Sequence, residues 1–152
     1  MGKFNNSPYA DTIFFNIEQI AKYIQEDYLK KYNNEVTHDE FRALGIISCN
    51  PDICQRDLAK LILRDSVRTG RILDSLEKKG FVERYQDAKG KRLVKKMKLT
   101  KAAEAFYSKT LDKVHKGTME FFKIFSDRQL SELHNSLKLL HEKLKETVEI
   151  EV

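Results

Sequence analysis

Apolar residues recur every three or four positions in the first part of the chain. Across residues 8–32 this stripe consists of Ile13, Ile17, Ile20, Ile24 and Tyr28. Because the spacing matches the 3.6-residue period of an α-helix, it predicts one long amphipathic helix that ends before Asn33 and Asn34. A ladder of leucines between Leu130 and Val148 predicts another long helix near the other end.

Capping signals mark where the remaining helices begin. The predicted N-terminal caps are all Ser, Thr or Asp, namely Thr37, Asp65, Thr100 and Ser126. Thr37 and Ser126 are followed three residues later by Glu40 and Gln129, which is the spacing of a capping box. The caps at Thr37, Asp65 and Thr100 predict helices over about residues 38–49, 66–79 and 101–122, and Ser126 begins the last helix. The helical spacing of Leu58, Ala59 and Ile62 predicts a fourth, short helix over about residues 55–63.

Two short strands are predicted at residues 81–85 and 93–99, because both segments mix apolar and charged positions. Residues 86–92 between them contain the sequence Lys89-Gly90-Lys91-Arg92 and are predicted as a loop with a cationic tip. The fold class is mainly α with a small β-hairpin, in the order α-α-α-α-β-β-α-α. Two short helices followed by a hairpin, at about residues 53–100, form the pattern of a winged helix-turn-helix. No Pro-rich or Gly-rich linker interrupts the sequence, so residues 1–152 are expected to form a single domain.

The positive charge is concentrated in this same region. Residues 53–100 contain 14 Lys and Arg against 6 Asp and Glu, whereas the rest of the chain contains 14 against 17. A basic centre between acidic flanks is typical of a module that binds a polyanion. The alternative is a lysine-rich face that is only solvated.

Duplex DNA fits the pattern, because a helix enters the major groove, arginine donates two hydrogen bonds to guanine, and a cationic loop reaches the minor groove. In the recognition helix and just before it, the candidate contacts are Arg64, Ser66, Arg68, Thr69, Arg71 and Ser75. In the preceding helix, where phosphate is the expected target, they are Gln55 and Arg56. In the wing they are Arg84, Lys89, Lys91 and Arg92.

Residues 36–44, 55–59 and 70–84 and the pair Leu99-Thr100 resemble a known family. The most specific stretch is Leu76-Glu77-Lys78-Lys79-Gly80-Phe81-Val82-Glu83-Arg84. Both the residues of these stretches and their order along the chain resemble the MarR (multiple antibiotic resistance regulator) family of bacterial transcription factors. The long first and last helices favour this family over related winged-helix families.

The resemblance implies a homodimeric repressor whose two winged lobes bind a pseudo-palindromic operator in double-stranded DNA. The helices at residues 8–32 and 101–150 would form the dimer, and their apolar stripes exceed what a small lobe can cover. The resemblance also implies release by a small amphipathic effector. The wing departs from the family's common Asp-x-Arg tip, because Asp87 is displaced, and Arg92 is the best match to the minor-groove arginine.

Two other interpretations remain open. Cys49 and Cys54 suggest a regulator that senses thiol oxidation, because Cys54 is placed at a helix N-terminus, where a thiolate is favoured. The second is a winged-helix protein-interaction module that does not bind DNA. The basic recognition helix and the cationic wing argue against that module, which has no need of either.

Several classes of protein are excluded by what the sequence lacks. No catalytic motif is present, so no enzymatic activity and no cofactor are expected. The four histidines have no ligand spacing, so no metal site is expected. No apolar run approaches the ~18–20 residues of a membrane span and no signal peptide is recognisable, so the expected location is the bacterial cytoplasm, at the nucleoid when bound to DNA.

Overall fold

The computed structural model describes residues 10–148, and these form two compact units divided after His38. In the first unit, α1 is Ala10–Tyr23, and a π-helical turn at Ile24–Tyr28 and a 3-10 turn at Leu29–Lys31 continue it. This helical path confirms the long first helix predicted from the apolar stripe. Its predicted beginning at residues 8 and 9 lies outside the described residues.

The remaining elements follow the predicted order. They are α2 (His38–Cys49), α3 (Gln55–Ile62), α4 (Ser66–Lys78), β1 (Val82–Lys89), β2 (Arg92–Leu99), α5 (Lys101–Phe122) and α6 (Asp127–Thr147). The mainly helical fold class with one hairpin is confirmed. No helix within residues 10–148 is both long enough and apolar enough to cross a membrane.

Local caps begin three of these helices. The side chain of Asp65 accepts a hydrogen bond from the backbone N–H of Arg68 at 2.7 Å, and Thr100 accepts one from Ala103 at 3.2 Å. Ser126 and Gln129 form both hydrogen bonds of a capping box. Each cap satisfies a backbone donor that a helix start would otherwise leave unpaired, which explains why these predicted starts are confirmed.

The hairpin is longer than the sequence predicted. Residues 86–92 were expected to form a loop, but β1 and β2 pair from Val82 opposite Leu99 to Lys89 opposite Arg92, and only residues 90 and 91 form the turn. Gly90 has φ of +67°, which suits the first position of a two-residue hairpin turn and which glycine adopts at no steric cost. The turn residue therefore allowed the strands to continue through a polar sequence.

The core of the second unit lies where α2, α3, α4 and the hairpin converge. Its buried apolar side chains include Leu44, Ile47, Leu58, Ile62, Leu73, Leu76, Val82 and Met97. Phe81, just before β1, stacks on Phe106 of α5 with ring centroids 5.0 Å apart. This contact packs α5 against the residues that connect α4 to the hairpin.

Candidate nucleic-acid interface

α4 has one buried and one exposed face. Thr69, Ile72, Leu73 and Leu76 are buried, and they recur at the spacing of a single helix face. Ser66, Arg68 and Arg71 are exposed. The candidate contacts Ser66, Arg68 and Arg71 therefore lie on the exposed side of this helix, with one exception among the candidates.

The exception is Thr69, which was included among the candidate DNA contacts. Its side chain is fully buried, and its hydroxyl donates a hydrogen bond to the carbonyl oxygen of Asp65 at 2.8 Å. A side chain without exposed surface has no atom to offer a ligand. Thr69 is thus a core residue of the lobe, and its earlier placement among the contacts is wrong.

A cleft of about 620 Å³ lies between α3, the first residue of α4 and the wing. Its polar and cationic lining includes Gln55, Arg56, Lys60, Ser66, Arg92 and Lys95. Four of these were candidate contacts from the sequence, and the fold brings them together from three elements. Lys60 and Lys95 were missed, because the side on which each lysine lies depends on helix packing and on strand register.

Arg64 and Arg68 share one carboxylate. The Nε and Nη2 atoms of Arg64 each donate to Asp39 at 3.0 Å, and Nη2 of Arg68 donates to the same carboxylate at 3.1 Å. Arg64 precedes α4 and is mostly covered, whereas the Arg68 side chain stays 58% exposed. Within residues 10–148, Arg71 forms no ion pair, and its side chain is exposed. The three arginines that the sequence grouped together are therefore in different situations.

Ser75 lies on the half-buried side of α4. Its hydroxyl donates to Glu40 at 2.6 Å, and Lys79 donates to the other carboxylate oxygen at 2.7 Å. Glu40 is almost fully buried. These bonds join the end of the recognition helix to α2, so Ser75 contributes to the position of that helix.

Arg84 of β1 is also engaged within the protein. Its Nη2 donates to Asp74 and to Glu77 of α4, at 2.6 Å in both cases. The hydrogen bond from Arg84 holds the pKa of Glu77 below its ordinary value, and Glu77 in turn raises the pKa of Arg84. Arg84 thus connects the wing to the recognition helix.

Two further contacts fix the wing. The hydroxyl of Tyr85 donates to Asp52 in the turn before α3, and this hydrogen bond raises the pKa of Tyr85 to about 12. Nζ of Lys96 donates to Asp87 at 2.5 Å across the hairpin, which lowers the pKa of Asp87 and raises that of Lys96.

The backbone joins the hairpin to the residues before α3. The N–H of Met97 donates to the carbonyl of Ile53 at 3.2 Å, and Cys54 forms an isolated antiparallel bridge with Lys96. Together with the side-chain contacts, this bridge holds the hairpin against the helix-turn-helix. At the tip, Lys91 is an exposed turn residue, while the side chain of Lys89 lies outside the described part of the chain.

The cysteines are both free. Cys49 is exposed, and Cys54 is half-buried at the N-terminus of α3, where its Sγ donates to Asp57 at 3.1 Å. Thiol sensing at these residues stays a prediction. Among the described residues, no group of His, Cys, Asp and Glu is arranged to hold a metal ion.

Known proteins share this fold. Residues 36–94, from just before α2 into β2, match the model of the MarR family. The transcriptional regulator SlyA is 24% identical, with 89% of this chain and 95% of that chain covered and a TM-score of 0.76. Wild-type MarR from E. coli in its apo form is 25% identical, with coverages of 86% and 96% and a TM-score of 0.65. The PcaV regulator from Streptomyces coelicolor, solved with its natural ligand, is 12% identical, with coverages of 93% and 98% and a TM-score of 0.72. No curated protein matches the chain.

The fold is a winged helix-turn-helix with long flanking helices, the fold of the MarR-family transcription regulators that it matches. More narrowly, residues 36–94 match the MarR family, which confirms the resemblance found in the sequence. Members of this family are transcription regulators rather than enzymes.

Proposed function

We propose that this protein is a sequence-specific regulator of transcription that binds double-stranded DNA as a homodimer. The observation that carries the proposal is the cleft between α3, α4 and the wing, with Arg56, Lys60, Arg92 and Lys95 on its lining. Cations from three separate elements converge there beside the exposed first turn of α4. Phosphates flank a major groove in this way, so the cations would bind the backbone while α4 contacts base edges.

The proposed dimer explains the apolar surface that a single chain leaves exposed. α6 has no buried residue within its described length, although Leu133, Leu137 and Leu144 recur along one side of it. Phe14, Phe15 and Ile20 of α1 are likewise exposed. Exposed apolar residues that recur along one helix in this way favour a protein interface, and two-fold pairing is the commonest arrangement. A two-fold dimer would present two lobes to a pseudo-palindromic operator.

The proposal includes the direction of regulation, which is repression. A dimer bound at an operator would exclude other proteins from the promoter, and we therefore propose a repressor that acts in the bacterial cytoplasm. Release by a small amphipathic effector belongs to the same proposal and is supported only by the family resemblance.

DNA binding is tested by fluorescence anisotropy with labelled duplexes from the region that flanks the protein's own coding sequence. We expect preference over random duplex and a steep decrease of affinity with salt, since each neutralised phosphate contributes about −0.9 to the slope of log K against log salt. Lys60→Ala should make this slope shallower. Lys109→Ala, on the exposed surface of α5, is the matched control and should leave it unchanged. A flat slope, or equal affinity for random DNA, contradicts the proposal and favours the protein-interaction module.

The dimer is tested separately by sedimentation velocity. The wild-type protein should sediment with the mass of two 17.8 kDa chains. Leu137→Glu, which puts a charge into the exposed leucine ladder, should sediment as one chain, while Lys138→Glu should remain dimeric. A wild-type protein that sediments as one chain at micromolar concentration contradicts the proposed pairing.

A further inference from the structure

The exposed side of α4, here called its outward ridge, carries an apolar residue that is not part of the core. Successive residues of a helix are about 100° apart, so the side opposite Thr69, Leu73 and Leu76 is centred near Val67 and Arg71. Val67 is 66% exposed, in the first turn of the helix. It stands between Ser66 and Arg68 on a surface that otherwise consists of polar and charged side chains.

Gly70 lies next to Val67 on the helix surface. Glycine is a poor residue for a helix interior, and here the fold does not require it. A Cβ added at Gly70 would meet only Nε2 of Gln55, at the ordinary contact distance of 3.4 Å. Packing within the lobe therefore tolerates alanine at this position. The Gln55 amide lies beside Gly70, so Val67, and not Gly70, offers the open surface in this part of the helix.

Arg68 is directed away from this ridge. Its guanidinium is held by Asp39, at 3.1 Å, on the side of α4 that faces α2. Arg71, one turn after Val67, is exposed. In the first half of α4, Val67 and Arg71 are thus the exposed side chains nearest the centre of the ridge.

We propose that Val67 is a specificity-determining residue that contacts the C5-methyl group of a thymine in the major groove of each half-site. This inference rests on the proposed DNA-binding function and specifies the base and the chemical group that one side chain contacts. Thymine presents an apolar methyl group in the major groove, and apolar side chains make the matching contact. Arg71, next on the ridge, carries the donors that suit a neighbouring guanine.

Deoxyuridine substitution tests the contact, because deoxyuridine differs from thymidine only by this methyl group. The probe is a duplex selected in vitro from random sequence by the full-length wild-type protein, with each thymine of one half-site replaced in turn. At one thymine we expect affinity to fall about fourfold, which corresponds to the ~0.8 kcal/mol of one buried methylene-sized group. Val67→Ala should bind the thymine and deoxyuridine duplexes equally well at that position.

Leu61→Ala is the matched control, because Leu61 is an exposed apolar residue of α3 and not of the recognition helix. This variant should keep the fourfold dependence on the methyl group. An unchanged melting temperature of Val67→Ala shows that the variant is folded. If no thymine shows the effect, or if Val67→Ala retains it, the Val67 contact is wrong, while a steep salt dependence still supports DNA binding. A selection that enriches no sequence, together with a flat salt dependence, contradicts both proposals.

Discussion

The carboxylate of Asp39 accepts two hydrogen bonds from Arg64, from Nε and from Nη2, each at 3.0 Å. The pair joins the first turn of α2 to the residue that leads into α4. Asp39 and Arg64 are largely covered, with 13% and 24% of their side chains exposed. Two parallel bonds between a guanidinium and a carboxylate fix the orientation of both groups. This ion pair gives Arg64 a structural role, because it fixes the residues that lead into the recognition helix.

Removal of Arg64 should therefore lower the stability of the fold. For Arg64→Ala we expect a loss of about 1–3 kcal/mol in the free energy of unfolding, because a mostly covered carboxylate loses its main partner. Urea unfolding followed by circular dichroism measures this, at one fixed protein concentration because a dimer's stability depends on it. Arg71→Ala, at an exposed site, should stay within about 0.5 kcal/mol of the wild type. Equal losses in the two variants would show that the Asp39 pair adds nothing to stability.

Arg71 should instead determine which DNA sequence is bound. Arg71→Ala is expected to lose about 1–3 kcal/mol of discrimination between the operator and a duplex with one altered base pair, if its guanidinium binds guanine. Arg71→Lys keeps the charge but not the paired donors, so it should lose discrimination while the salt dependence is retained. Arg68→Ala should lose less discrimination than Arg71→Ala, because Arg68 is already bound to Asp39. Unchanged affinity and discrimination in Arg71→Ala would mean that the recognition surface lies elsewhere.

Features that depend on neighbouring residues were predictable from the sequence. The caps at Asp65, Thr100 and Ser126 involve residues three positions apart, and all three are confirmed. The inward residues of α3, Leu58 and Ile62, follow the helical period and are buried. Such signals are local, so one sequence is enough to read them.

Features that depend on distant residues were not predictable. Asp39 is 25 positions from Arg64, and no periodic pattern links the two. Thr69 was placed among the DNA contacts, and its burial shows that it belongs to the core instead. Lys95 reaches the cleft through the register of the hairpin, in which it is opposite Gln86, a residue that the sequence placed in a loop. In each case tertiary packing supplied what the local sequence left open.

Lys95 should contribute to DNA affinity without contributing to sequence preference. Its ammonium is a point charge on the lining of the cleft, suited to a phosphate. Lys95→Ala should weaken binding to operator and random duplexes by the same factor, and it should reduce the salt slope by about 1. Lys98→Ala is the matched control, because Lys98 is outside the cleft lining and pairs with Glu83 at 3.5 Å. A change in relative affinity among duplexes with different sequences would assign Lys95 to base contact instead.

Tyr85 should ionise at unusually high pH because its hydroxyl donates to Asp52. The pKa of Tyr85 is raised from 10.0 to about 12. A raised pKa means that folding favours the protonated phenol, so this contribution to stability is fully present below pH 10 and is lost as the pH rises through about 12. Ultraviolet absorbance of the phenolates should include a component with this late titration. Tyr85→Phe should remove it.

Asp52→Asn is the decisive variant for that titration. Asp52 has φ of +64°, and asparagine tolerates this left-handed conformation, so the backbone of the turn should be preserved. An uncharged amide can still accept the hydrogen bond, but it no longer repels the phenolate and accepts more weakly than a carboxylate, so Tyr85 should titrate closer to pH 10. Superimposable titration curves for Asp52→Asn and the wild type would show that this hydrogen bond does not hold the wing to the turn before α3. An earlier titration, together with weaker binding to all duplexes, would support a role for the Tyr85 and Asp52 contact in placing the wing on DNA.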